Sequence, residues 1–165
     1  NEFSDFARMP KPILKDNNLV TLLNDNINFI KELDKDIEIS FKPSKPIIIL
    51  NSDSEQLSRV FFNLIKNSIE SIQEKRLKST LIKPKIDIDL IDDRTKIKLS
   101  IMDNGLGFKM FANNIKDILN PYFTTKKQGS GLGLAIVNKT INDHNGKIDF
   151  ISIEDGAKIL IVFLK

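Results

Sequence analysis

The stretch SDSEQLSRVFFNLIKNSIESIQE, Ser52 to Glu74, constrains the fold more than any other part of the chain. Leu57, Phe61, Leu64, Ile65, Ser68 and Ile72 recur at helical intervals and form one core-facing side. Ser52 and Glu55 have the spacing of a capping box and predict the helix start. The same helix carries a polar stripe. Asn63, Asn67 and Glu70 share a face at i, i+4 and i+7, with Val60 and Leu64 on one side and Phe62 and Ile69 on the other. Amides in such a furrow are costly unless hydrogen-bonded. Either they satisfy backbone groups or water, or they turn carbonyl oxygens toward a hard cation. Mg²⁺ takes oxygen ligands and shares one or two protein groups with substrate phosphates.

Other segments supply a sheet. Asn18–Leu33 has helical spacing at Leu19, Leu22, Leu23, Ile27 and Ile30, and Ile37–Phe41 and Pro46–Leu50 read as strands. Lys85–Ile91 and Lys96–Met102 alternate around the polar DDRT. Leu132–Asn142 reads as a helix closed by Asn145-Gly146, and Lys147–Ile153 and Ala157–Leu164 as a hairpin around EDG. Phe108–Lys127 is irregular, and loops of that length in compact domains usually serve function. The order predicts an α+β fold, a two-layer α/β sandwich whose mixed sheet carries its helices on one face. Asn1–Met9 reads as a helical tail stopped by Pro10 and Pro12, the end of an element that lies upstream.

Composition narrows the function. A chain of 165 residues suits one domain. With no cysteine and His144 as its one histidine, it offers neither a thiolate nor a His-rich metal centre. A net charge of +3, with both signs spread along the chain, gives no footprint for nucleic acid. No apolar run approaches the ~18 residues of a membrane span, so this stretch is expected to make no membrane contact itself, any anchor lying outside it, and the lack of cysteine fits a cytoplasmic location.

Two glycine-bearing stretches carry the remaining chemistry. In SIMDNGLGF, Ser100–Phe108, DNG after a strand signals a hairpin, yet LGFKMF does not return into an alternating strand. Gly105 and Gly107 let something pack flat on the backbone, and Asp103 at a strand end is placed to accept from an exocyclic amine such as adenine N6. GSGLGLAIV, Gly129–Val137, matches neither a P-loop nor a dinucleotide fingerprint. Its glycines lead straight into a helix, whose free N–H groups bind anions. A flexible linker is the plain alternative. Lys126 and Lys127 are the nearest cations.

Taken together, these stretches resemble the ATP-binding catalytic domain of sensor histidine kinases. That domain belongs to the wider Bergerat-type fold shared with gyrase, the ninety-kilodalton heat-shock chaperone and mismatch-repair MutL proteins. RVFFNLIKNSIESI (Arg59–Ile72) resembles the N box, DNGLGF (Asp103–Phe108) the G1 box, NPYFTTK (Asn120–Lys126) the F box, and GSGLGLAIV the G2 box. FARMPKP is similar to nitrogen-regulation sensor kinases, so residues 1–12 would be the end of a dimerisation-domain helix and its linker, and 13–165 the catalytic domain.

The resemblance implies ATP and Mg²⁺ as cofactors. Asn67 would be the main metal ligand, with Asn63 beside metal and phosphates. Asp103 would bind adenine, with Gly105 and Gly107 at the base. Tyr122, Phe123, Thr124, Thr125 and Lys126 would belong to the ATP lid, and Gly129, Ser130, Gly131, Leu132 and Gly133 would face the triphosphate. It further implies a two-component phosphorelay, with a phosphoacceptor histidine on the protein's own dimerisation domain, a response regulator receiver domain as partner, and a homodimeric full-length protein. Three positions depart from the pattern. Glu70 stands where many members place a cation, Ser71 where many place an aromatic, and Asn120 where an acid is usual. His144, beside a helix end, is expected to cap or to be exposed rather than to accept phosphate. The alternatives are a GHKL-type ATPase, which needs a general-base glutamate where Asn63 stands, a nucleotide-sensing module lacking kinase activity, and an anti-sigma serine kinase, against which the dimerisation-like tail argues.

Overall fold

A computed structural model of the chain describes residues 9–78, 83–107 and 133–165. In order the elements are β1 (Lys15–Asn18), α1 (Leu19–Leu33), β2 (Glu38–Pro43), β3 (Ile49–Ser52), α2 (Ser54–Lys78), β4 (Lys85–Asp93), β5 (Lys96–Asp103), α3 (Gly133–Asp143), β6 (Gly146–Ile153) and β7 (Gly156–Leu164).

The alternating strands pair as their patterns require. Five of them form one sheet in the order β2-β4-β5-β7-β6, with β2 parallel to β4 and every other pair antiparallel. The register aligns Phe41, Ile88, Ile101, Ile159 and Phe150 in one row across the sheet. A one-residue slip would turn every such row to solvent, so burial of one face fixes the register. Onto that face pack Leu23, Ile27 and Ile30 of α1, Phe61, Leu64, Ile65 and Ile72 of α2, and Val137 and Ile141 of α3. Each such side chain contributes roughly 1.5–3 kcal/mol when fully buried. The expected two-layer α+β sandwich is what forms. No helix among the described residues is long and apolar enough to cross a membrane.

Two local readings are corrected. The first is the start of the long helix. Ser52 is the last residue of β3, fully buried, with its hydroxyl donating to the Leu50 carbonyl at 2.9 Å. The cap is Asp53, whose Oδ1 accepts from the N–H groups of Glu55 and Gln56, both at 3.1 Å. Ser52 is held in β3 by its pairing with Lys15, so the cap falls to the aspartate one residue on, whose charge also suits the positive end of the helix dipole. Burial opposes that charge, but the N–H groups of Ile13, Gln56 and Glu55 outweigh it and hold the carboxyl below its usual 3.8. The second is β1, which the sequence does not announce. KDNN has no apolar alternation, and it is a strand because it pairs with β3 and because Asn17 Nδ2 donates to the Ser52 carbonyl at 2.8 Å.

His144 caps, and it is buried rather than exposed, at 5% accessibility. Its Nδ1 lies 2.7 Å from the Thr140 carbonyl, to which it donates. That leaves Nε2 as the acceptor for the Asp53 N–H at 3.1 Å. The ring thus ties the last turn of α3 to the first of α2. His144→Ala strands both partners, and the expected loss is about 2–3 kcal/mol in urea-unfolding free energy; an unchanged midpoint would show the ring to be dispensable.

Candidate functional site

The site grows from the packing of α2 on the end of β5. Ser68, read from sequence as a core residue, is buried at 3% exposure and lies over Asp103, itself 6% exposed. Asp103 Oδ1 accepts from the Gly105 N–H at 2.8 Å. Burial pushes the Asp103 carboxyl above its usual 3.8, while the Gly105 N–H, the Ser68 hydroxyl and the Lys75 charge act the other way without prevailing. A carboxylate offers about four acceptor positions, and Gly105 and Ser68 account for two.

The DNG turn does not start a hairpin, because both edges of β5 are taken by β4 and β7, and the Asn104 side chain braces the turn instead. Its Oδ1 accepts from the Lys85 N–H at 3.0 Å and its Nδ2 donates to the Lys83 carbonyl at 2.6 Å. The following residues turn toward α2 instead, where the Leu106 N–H donates to Ser71 Oγ at 2.9 Å. This accounts for Ser71, since an aromatic side chain could not accept that bond. A Cβ on Gly105 would stand 2.4 Å from Ser71 Oγ and 2.9 Å from the Ile72 nitrogen, so here the partner that needs a bare backbone is the helix itself. Gly107 has φ +81, and its Cβ would meet the Gly156 carbonyl at 2.7 Å. A Cβ on Gly156 would fall 1.9 Å from the Asp103 carbonyl oxygen. Lys75 Nζ closes the arrangement by donating to the carbonyls of Asn104 at 3.1 Å and Asp155 at 3.3 Å. Gly156 and Lys75 were missed in the sequence, and Ser68 was read there only as a core residue. Gly156 reads there only as part of a turn, and nothing local shows how near β7 passes to Asp103.

The polar stripe faces the start of α3. Asn67 Nδ2 donates to Asn63 Oδ1 at 3.0 Å, and both residues are half-buried. A Cβ on Gly133, the first residue of α3, would sit 3.3 Å from Asn63 Nδ2. Glu70 is 3.9 Å from Lys66 one turn earlier. The structure therefore brings together Asn63, Asn67 and Gly133, and separately Asp103, Gly105 and Gly107, along one side of α2. Tyr122, Phe123, Thr124, Thr125, Lys126, Lys127, Gly129, Ser130, Gly131 and Leu132 lie outside the described residues. Among the described residues no three His, Asp or Glu side chains gather to hold a metal. A cation at this site would draw on amide and ligand oxygens, a hard donor set that fits Mg²⁺.

Comparison with known proteins gives the same class. Residues 52–165 match the family described as histidine kinase-, DNA gyrase B-, and HSP90-like ATPase, and the chain belongs to that family. It is 28% identical to the sensor histidine kinase ZraS of Escherichia coli, over 96% of this chain and 34% of that protein. It is 29% identical to the nitrogen regulation protein NtrY of Azorhizobium caulinodans, over 94% of this chain and 20% of that one. It spans between 20% and 34% of the curated relatives named here. The catalytic domain of histidine kinase ThkA superposes with a TM-score of 0.76 at 29% identity, covering 93% of this chain and 96% of that domain. ThkA in complex with the response regulator TrrA superposes at 0.77 with 25% identity, covering 99% of this chain and 45% of the other. The fold is thus that of histidine kinase catalytic domains.

Because the folded state raises the Asp103 pKa, it holds a proton the unfolded chain releases earlier. Its stability contribution is complete below 3.8 and is lost as pH rises through the raised value. Asp103→Asn removes the charge, so at neutral pH the variant should resist urea better than the wild type. That advantage should shrink as pH falls toward 3.8. Equal midpoints at every pH would mean that burial of the carboxylate carries no penalty.

Proposed function

We propose that the chain holds Mg·ATP and presents the γ-phosphate to a histidine on a dimerisation domain of the same protein, as the catalytic domain of a sensor histidine kinase. The observation that carries the reading is the buried Asp103 carboxylate, set against Ser68 on the same helix whose Asn63–Asn67 pair meets the N-terminus of α3. Asp103 accepts from the adenine N6 amine, and guanine, with an acceptor oxygen there, is refused. Gly107 lies beneath the base. The first N–H groups of α3 receive phosphate oxygens. The Asn67–Asn63 bond orients both amides: Asn67 would offer its oxygen to the metal, and Asn63, whose N–H₂ group lies near Gly133, would donate to the phosphates. When bound, Mg²⁺ neutralises phosphate charge; the protein's share of the chemistry is alignment and exclusion of water.

Three points support transfer to a protein histidine over hydrolysis. Position 63 holds an amide, a poor general base for water. The chain's own histidine is buried with both ring nitrogens engaged, so it is ill suited to accept phosphate. Of the relatives named above, ZraS is a sensor histidine kinase. ThkA's complex with a response regulator supports a receiver domain as the downstream partner.

Calorimetric titration with a non-hydrolysable ATP analogue, with and without Mg²⁺ and with GTP as control, tests the binding half. Mg²⁺-dependent binding with GTP ignored is expected, and Asp103→Asn should weaken it ~10–100-fold by replacing an acceptor with a partial donor. Asn67→Asp should alter the metal dependence. Supplying the protein's own acceptor domain tests the transfer half. A chain that binds the analogue but leaves that histidine unphosphorylated would favour a nucleotide-sensing module.

A further inference from the structure

The segment Met9–Ile13 is bonded onto the domain at three points. The Ile13 N–H donates to Asp53 Oδ2 at 2.9 Å. Gln56 Nε2 donates to the Pro10 carbonyl at 3.1 Å. The Thr140 hydroxyl lies 3.9 Å from the Met9 sulfur. These contacts reach two different helices, since Asp53 and Gln56 stand at the start of α2 and Thr140 in the last turn of α3.

Asp53 joins all three parts. One carboxylate oxygen caps α2, the other holds Ile13, and its N–H reaches His144 at the end of α3. Helices move as rigid bodies, so what is fixed at these ends is felt along their length. On α2 lie Asn63 and Asn67, and at the far end of α3 lies Gly133, 3.3 Å from the Asn63 amide if it carried a Cβ. The gap between the amide pair and the α3 N-terminus is therefore set by how α2 and α3 lie against each other.

We infer that Met9–Ile13 is a strap that holds α2 and α3 in the placement the nucleotide site needs, with Asp53 and His144 as its positioning residues. The inference rests on the nucleotide-binding reading above. Movement of the strap then becomes a change in nucleotide affinity. By linkage, nucleotide must tighten the strap in return.

The test uses the 165-residue chain and Mg²⁺ with a non-hydrolysable ATP analogue. Exchange of the Ile13 amide is followed by NMR before and after saturation. Slowing by ~5-fold or more is expected, the lower end of typical coupling between sites. Gln56→Ala removes one strap contact and leaves the Asp53 cap, Asn63, Asn67 and Asp103 in place. It should keep its fold by circular dichroism yet bind the analogue several-fold more weakly. A strap that is only structural would leave Ile13 exchange blind to nucleotide, and that result overturns the inference whatever the variant does. No binding by the wild-type chain would be seen first and would instead overturn the functional reading beneath it.

Discussion

Everything at the site depends on one helix satisfying two different neighbours. The apolar side of α2 must be buried on the sheet, and once Phe61, Leu64, Ile65 and Ile72 are in the core its rotation is fixed. Ser68 and Ser71 are then carried over the end of β5, and Asn63 and Asn67 toward α3. The helix has no freedom to adjust its polar stripe separately, because a rotation that moved the amides would expose the core. Packing energy summed over many side chains thus holds a few polar groups in place, which is what positioning chemistry requires.

Asp103 shows what such a site costs the fold. A carboxylate at 6% exposure with a raised pKa is a net burden on the free protein, and one N–H, one hydroxyl and a lysine relieve only part of it. The neighbouring backbone is equally committed. Gly105 presses on Ser71, Gly107 on Gly156, and Gly156 on Asp103 itself. Three bare backbones in one cluster give up side-chain burial in order to bring a loop, a helix and a strand end together. Function-bearing sites commonly trade stability in this way.

The sequence showed the fold well where periodicity is strong. The alternation in β4, β5, β6 and β7 and the helical spacing in α1 and α2 are local signals, and each formed within a few residues of where it was expected. Lys15–Asn18 was invisible, because only its partner strand makes it a strand. The cap at Asp53 was placed one residue early, since Ser52 and Asp53 are both good caps and only the tertiary course of β3 decides between them. In the candidate site, Asp103, Asn63, Asn67 and Gly107 stood out by residue type and spacing. Ser68, Lys75 and Gly156 did not, since each acts through a contact with a residue distant in sequence.

The strand order carries one last consequence. β4 with β5, and β6 with β7, are pairs of near neighbours in the chain joined by short turns, whereas β5 and β7 are far apart in sequence, with α3 and β6 between them. That seam is where Asp103 pairs with Ala157 and where Gly156 fits against the Asp103 carbonyl. In folding terms, the contacts that close quickly build two halves of the sheet, and the slow, entropically expensive closure between them brings Asp103 against Gly156. Neither half alone contains all the residues of the proposed nucleotide site. A bound nucleotide would therefore act as a proofreader of assembly, favouring only chains whose two half-sheets have joined in register.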